Sequence, residues 1–207
     1  MNDKKKLTPL MISHLIIMII FTILSIASVA MMVVWFFTGK AGDYVYYSVP
    51  YFVGNILNVF AYGCAITYLC KRYAKSAAGF YKVFLLFLVG YNVSSLLTVI
   101  LLMVNRDRMS TPPDVSTFQI VLRMAFISAK ILLLLILTFV KDMGKKNTWI
   151  VYVVLVVVDI VTGLLAFTGS DVAFFRFVSA TSRLVMDGTI GLSIKGKYDD
   201  KDARGTT

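Results

Sequence analysis

The sequence contains no glutamate, a single histidine and only two cysteines among its 207 residues. All eleven acidic residues are therefore aspartate. The absence of glutamate excludes every motif that needs a glutamate base, including the helical zinc-protease signature. Cys64 and Cys70 lie six residues apart in one predicted helix, which is not the spacing of metal ligands. We expect no metal site and no cofactor.

The residues that usually act as catalytic bases or nucleophiles do not form a recognisable active-site pattern. His14 lies near one end of the first apolar run, whereas a serine hydrolase needs its histidine beside the reactive serine. We interpret His14 as a residue of the membrane interface. The two aspartates within apolar runs, Asp159 and Asp187, lack the accompanying motif of a protease, and no glycine-rich phosphate loop is present. We predict that the chain is not an enzyme.

Long apolar runs are what the sequence has in abundance. Hydrophobic residues make up 58% of the chain, and the mean hydropathy is +0.81, which is typical of an integral membrane protein. Each run can cross about 30 Å of hydrocarbon as a helix that rises about 1.5 Å per residue. The sequence predicts an all-α bundle of six transmembrane helices with short loops. The predicted spans are about 10–37, 48–70, 80–104, 118–140, 148–168 and 172–194.

Basic residues outside the spans predict the orientation. Only Lys40, Arg106 and Arg108 lie on one side of the predicted topology. The other side carries Lys4, Lys5, Lys6, Lys71, Arg72, Lys75, Lys82, Lys141, Lys145, Lys146, Lys195, Lys197, Lys201 and Arg204. Because basic loops stay in the cytoplasm, both termini are predicted to be cytoplasmic.

The net charge of +10 is explained by this membrane topology, in which basic ends contact anionic lipid headgroups. We therefore expect a lipid bilayer and no nucleic acid as a partner. Residues 1–207 form one predicted transmembrane domain, and 195–207 a flexible cytoplasmic tail. The predicted location is the plasma membrane, as a multi-pass protein, in a bacterial cell.

Charged and amide side chains recur near the middle of five predicted spans. An ionised side chain at that depth costs about 2.5–3.5 kcal/mol to insert, so it usually has a partner, a wet cavity or a function. Seven residues advance a helix by about 700°, which returns nearly to the same face, and this spacing separates the two cations of span 4 and those of span 6. The candidate substrate-binding residues are Arg123, Lys130, Asp159, Arg176, Arg183, Asp187, Asn58 and Asn92.

Two interpretations of these residues remain open. In the first, the cations and aspartates form a structural salt-bridge network, and the protein is a non-catalytic sensor, assembly factor or regulatory partner. In the second, the four cations exceed the two anions, and the surplus arginines on the outward side attract an anionic or zwitterionic small solute. The second predicts a transporter, or its substrate-binding subunit, which would associate with other membrane subunits. Asp159 is also a candidate proton carrier.

In length, six-span outline and cytoplasmic termini the chain resembles the small substrate-binding components of bacterial energy-coupling-factor vitamin transporters. That family's small-residue contact motif, Ala-x-x-x-Ala in the first span, is absent here. Ser25, Ala27, Ser28 and Ala30 form only a loosely similar patch. The resemblance therefore implies an architecture, and no ligand or site residue is transferred from it.

Overall fold

A computed structural model describes residues 8–38, 45–71, 76–105, 116–140, 143–167 and 173–204, and within them all side chains except those of 35, 45–48, 165–167, 173–180 and 198–204. In these ranges the backbone forms six helices and no strand, so the all-α prediction is confirmed. The helices are α1 (Pro9–Phe37), α2 (Val45–Cys70), α3 (Ala77–Val104), α4 (Thr117–Phe139), α5 (Lys145–Phe167) and α6 (Ala173–Arg204).

Local sequence signals fix where two of these helices begin. Thr8 precedes α1, and its hydroxyl accepts a hydrogen bond from the backbone N–H of Met11 at 3.4 Å. Pro9 follows at a first-turn position, where its missing N–H costs nothing. Ser116 and Gln119 form a reciprocal capping box at the start of α4, with bonds of 3.2 and 3.0 Å.

The helix bounds agree with the predicted spans to within three residues, except at the end of α6. There the helix continues beyond Ile194 to Arg204. The extension is compatible with its sequence, because Lys195 and Asp199 lie four residues apart, a spacing that favours a helix. The expectation that the tail is flexible stays a prediction.

The helices form a ring in chain order. Each packs against the next along the chain, α6 packs against α1, and α6 also contacts α2. The rings of Phe36 and Phe52 lie 6.5 Å apart at one end of the α1–α2 pair. Those of Tyr68 and Tyr81 lie 5.2 Å apart where α2 ends and α3 begins. Neighbouring helices are therefore antiparallel, with short connections between them.

This alternation collects basic residues at one end of the ring, the end at which α1, α3 and α5 begin. We call it the basic end, and the opposite one the far end. At the basic end, Lys71 lies over the ring of Phe80 and Lys82 over the ring of Phe139, each at 5.3 Å from the ring centroid. These cation–π contacts link α2 to α3 and α3 to α4.

The interior and the exterior of the ring are both largely apolar. Five of the six described helices, α1 to α5, are long and apolar enough to cross a membrane, and many of their large hydrophobic side chains are exposed, among them Ile16, Ile23 and Leu132. The chain is therefore compatible with a multi-pass membrane protein. The helix outside this group, α6, carries three charged residues within its apolar segment, namely Arg176, Arg183 and Asp187.

The main hydrophobic core lies in the basic half of the ring. Its fully buried members come from α1 to α6 and include Phe84, Leu134, Leu155 and Ile190. A smaller cluster in the far half joins α3 to α4. The apolar core therefore closes the basic half, and the polar residues described below lie beside and beyond it.

Candidate functional site

An ion pair between α4 and α5 lies at the centre of the site. The Nζ atom of Lys130 donates to Oδ1 of Asp159 at 2.5 Å. The two residues are only 5% and 3% exposed. A buried ammonium or carboxylate without a counter-ion is strongly unfavourable, so the pairing explains how both charges are accommodated in an apolar bundle.

Asp187 on α6 adds a second carboxyl group to this pair. It is 3% exposed and interacts electrostatically with Asp159, Lys130 and Arg183. Arg183 precedes it by four residues, one turn of the same helix. The structure thus brings together four of the predicted site residues from three helices. We call them the charge cluster: Lys130, Asp159, Arg183 and Asp187, two cations and two anions.

Two carboxylate oxygens of the charge cluster have unused hydrogen-bonding capacity. Oδ2 of Asp159 and Oδ2 of Asp187 are both buried, and neither accepts a hydrogen bond from the part of the chain that the structure describes. A buried acceptor without a donor costs about 1–3 kcal/mol. These atoms are therefore suited to accept a hydrogen bond from a ligand.

Arg123 lies on the far-end side of the charge cluster. It precedes Lys130 by seven residues on α4, which places it about 10 Å nearer the far end. Both Arg123 and Arg183 lie within electrostatic range of the Tyr51 hydroxyl on α2, as does Tyr91 on α3. Two guanidinium groups and two phenols from four helices therefore share one neighbourhood, although both phenols were missing from the predicted site.

The two predicted asparagines are buried but are not joined to the charge cluster. Asn92 donates from Nδ2 to the backbone carbonyl of Leu88 at 2.7 Å, one turn earlier in its own helix. Asn58 is 8% exposed. Among the described residues no hydrogen bond connects either of them to the cluster. The side chain of Arg176 lies outside the described part of the structure, which includes only its backbone in α6.

Sequence reasoning missed a row of hydroxyl groups on α6 that bind partners on other helices. The Tyr62 hydroxyl lies 2.5 Å from Oγ of Ser182, and the Tyr68 hydroxyl donates to Oγ of Ser193 at 2.9 Å. Ser182, Thr189 and Ser193 follow one another at intervals of seven and four residues, which places them on one helix face. That spacing was the available signal.

His14 also contacts this face, so the interpretation of His14 as only an interfacial residue missed a contact. Its Nε2 atom lies 2.9 Å from Oγ1 of Thr189, and the ring packs against Gly188. The Thr189 hydroxyl donates to Sδ of Met18 at 3.7 Å. These contacts hold α1 against α6.

Within the described side chains, no three histidine, cysteine or acidic residues are grouped closely enough to hold a metal ion.

Comparisons with known proteins found no matching family model, no matching curated protein and no matching solved structure.

Proposed function

We propose that this chain is a small six-span transporter, or the membrane-embedded substrate-binding subunit of one, for an anionic or zwitterionic solute. The observation that carries the proposal is the charge distribution of the described site. The charge cluster contains equal numbers of cations and anions, and Arg123 adds a positive charge on its far-end side. Guanidinium groups from two helices in one neighbourhood suit the binding of an anionic group there.

The side chains around Arg123 and Arg183 have the chemistry for recognising such a group. A guanidinium group can bind a carboxylate or phosphate through two parallel hydrogen bonds. The hydroxyls of Tyr51 and Tyr91 can donate further hydrogen bonds. The ammonium group of a zwitterion would find acceptors in the two carboxyl groups, whose Oδ2 atoms have no donor among the described residues.

The proposal takes α6 as the sixth span. Its polar side chains are directed into the bundle, since Ser182, Asp187, Thr189 and Ser193 are all buried, at 0–8% exposure. Charged residues that face the interior and have partners there are tolerated in a membrane. Six crossings return the chain to the side on which it begins.

In this proposal the basic end faces the cytoplasm and the far end faces outward, in the plasma membrane of a bacterial cell. Positively charged loops are retained on the cytoplasmic side during insertion. The hydrophobic core then closes the cytoplasmic half, with Phe84, Leu134 and Leu155 completely or almost completely buried. A solute would approach Arg123 and Arg183 from the outside.

Binding of defined probes to the purified chain in lipid nanodiscs tests this function. Sulfate, succinate and glycine are suitable probes of the anionic and zwitterionic classes. We expect at least one to raise the thermal unfolding temperature. Because a hydrogen bond to a charged group contributes about 1.5–3 kcal/mol, Arg123→Gln or Arg183→Gln should weaken its binding by about 10- to 100-fold.

The matched control is Lys82→Gln, which removes an exposed cation at the basic end. It should bind the probe as the wild-type chain does. The proposal is wrong if no anionic or zwitterionic probe stabilises the wild-type chain, or if Lys82→Gln weakens binding as much as the arginine variants do.

A second candidate is a non-catalytic sensor, assembly factor or regulatory partner in which the charge cluster is structural. The direct 2.5 Å contact of Lys130 with Asp159 favours this alternative, because the two charges already satisfy each other. Here the arginine variants would reduce stability without affecting any probe, and the chain would co-purify with another membrane protein. Both candidates are non-enzymatic.

A further inference from the structure

On α4 and α5, an apolar side chain lies directly to the basic-end side of each charged residue of the ion pair. Leu134 follows Lys130 by four residues on α4, which runs toward the basic end. Leu155 precedes Asp159 by four residues on α5, which runs away from that end. Each leucine therefore lies on the same helix face as its charged neighbour and about 6 Å nearer the basic end.

The same order recurs on α3 and α6. Leu88 lies one turn to the basic-end side of Asn92, and Ile190 lies three residues beyond Asp187 in the same direction. All four apolar side chains belong to the main hydrophobic core and are only 0–3% exposed. We call them the apolar layer: Leu88, Leu134, Leu155 and Ile190.

On the far-end side of the charge cluster, the corresponding helix faces are polar. Thr162, which is 2% exposed, lies one turn to the far-end side of Asp159. Arg123 lies two turns to the far-end side of Lys130, and Arg183 has a similar place on α6. The faces of three helices thus change from polar to apolar at one level of the bundle, between the charge cluster and the apolar layer.

The row of hydroxyl groups on α6 does not continue the charge cluster toward the basic end. Thr189 lies two residues after Asp187, which places the two side chains about 200° apart around the helix. The hydroxyls of this row also have partners already, namely His14, Tyr62 and Tyr68 on α1 and α2. The side chains in line with the charge cluster are therefore those of the apolar layer.

We propose that the apolar layer is the inner gate of this chain, and that a solute leaves the site toward the basic end by passing between its four side chains. This inference rests on the proposed function. A charged solute finds no hydrogen-bond partner within an apolar constriction, so the closed layer is a high barrier to its passage. Release requires α3, α4, α5 and α6 to separate at this level.

An iodide-leak assay of the full chain in proteoliposomes tests the gate without any bound solute. Iodide that enters the vesicles quenches an entrapped fluorescent dye. The wild-type chain should admit iodide no faster than protein-free liposomes do. Ile190→Thr places a hydroxyl group within the layer, which can bind an ion during its passage. The leak should therefore rise about 10-fold or more above that of the wild-type chain.

The matched control is Ile127→Thr, which makes the same change at a buried residue on the far-end side of Lys130. It should leave the leak at the wild-type rate. Thermal unfolding identifies the variants that fold, and Leu155→Thr alters the layer from α5 if Ile190→Thr does not fold. A leak in the wild-type chain, an equal leak in Ile127→Thr, or a folded layer variant that does not leak would each overturn the gate.

Binding of sulfate, succinate and glycine separates this inference from the proposed function. Ile190→Thr should bind any of these probes as the wild-type chain does, because the layer lies beyond the charge cluster. If a probe binds and the folded layer variants do not leak, the gate is wrong and the proposed function stands. If no probe binds while Ile190→Thr leaks, the proposed function fails and the layer remains the barrier of the bundle.

Discussion

Lys130 is a buried cation that forms an ion pair with Asp159. Its ammonium group lies inside an apolar bundle, 2.5 Å from Oδ1 of Asp159 on the next helix. A buried charge that loses its counter-ion is far more costly than a buried pair that is replaced as a whole. The packing of α4 against α5 therefore depends on the presence of both Lys130 and Asp159.

This coupling can be measured with a double-mutant cycle. Lys130→Met leaves Asp159 without its bonded cation and should lower the free energy of unfolding by about 3–5 kcal/mol. The double variant Lys130→Met with Asp159→Leu should be more stable than Lys130→Met alone, because it removes both buried charges. Reversible unfolding in mixed micelles of the wild-type chain, Lys130→Met, Asp159→Leu and the double variant gives the four values of the cycle. Additive losses would show that the two residues do not interact.

Two glycines on α6 allow neighbouring helices to approach. A Cβ atom at Gly188 would lie 2.8 Å from Cε1 of His14, and one at Gly191 would lie 2.6 Å from the Tyr152 hydroxyl. Both distances are too short for contact, so a side chain here must displace a ring from another helix.

Alanine substitution should therefore have opposite effects at different glycines. Gly188→Ala should destabilise the chain by about 1–3 kcal/mol through overpacking. Gly63→Ala, on an exposed face of α2 with nothing within 4 Å, should be neutral or stabilise it by up to about 1 kcal/mol. Thermal unfolding compares the two. If His14→Ala does not restore stability to Gly188→Ala, the loss has another cause.

At the scale of the element, α6 is distinguished by four buried polar side chains, those of Ser182, Asp187, Thr189 and Ser193. Tyrosines of α2 and a histidine of α1 bind hydroxyl groups of this set, and Asp187 interacts electrostatically with Asp159 of α5. Hydrogen bonds between membrane helices contribute on average only about 0.6 kcal/mol each. Their number and direction, more than their strength, determine which face of α6 points inward.

The contact between Tyr62 and Ser182 makes a graded prediction. The Tyr62 hydroxyl is close to both Oγ and the backbone carbonyl oxygen of Ser182, at 2.5 and 3.2 Å. Ser182→Ala leaves the carbonyl as an acceptor and should cost less than Tyr62→Phe, which removes the hydroxyl and should cost about 0.5–1.5 kcal/mol. Unfolding of both variants under the same conditions gives the order, and a larger loss in Ser182→Ala would contradict it.

Hydropathy predicted the helices well because a bilayer demands long apolar segments with internally paired backbones. It also placed Lys130, Asp159, Arg183 and Asp187 near one depth, and the structure groups these four. The order of helices around the ring and the rotation of each helix depend on contacts between helices. For that reason Tyr51 and the hydroxyl row of α6 were missed. Asn92 was predicted to be part of the site, but its side chain binds the backbone of its own helix.

At the scale of the whole molecule, the alternating helices give the bundle two chemically different ends. Lys71 and Lys195 are exposed at the basic end, whereas Asn105 follows α3 at the far end. This asymmetry makes the proposed orientation accessible to a labelling experiment.

Single cysteines introduced into a chain without Cys64 and Cys70 report the orientation. In intact cells, a membrane-impermeant maleimide should label Asn105→Cys and leave Lys71→Cys and Lys195→Cys unlabelled, because positive residues remain inside. Permeabilised cells provide the control in which all three react. Labelling of the two lysine positions alone would reverse the orientation, and labelling of Lys195→Cys without Lys71→Cys would contradict the six-span topology.

The contact between α6 and α1, which closes the ring, can form only after the last helix has been synthesised. In the proposed six-span topology, synthesis from the N-terminus brings α1 to α5 to the membrane before α6. Lys130 and Asp159 can pair at that stage, whereas Arg183 and Asp187 must leave water after their neighbours are already in place. The helix that is hardest to insert alone, α6, is thus the last to arrive. By then its partners His14, Tyr62 and Asp159 on the earlier helices are already in place.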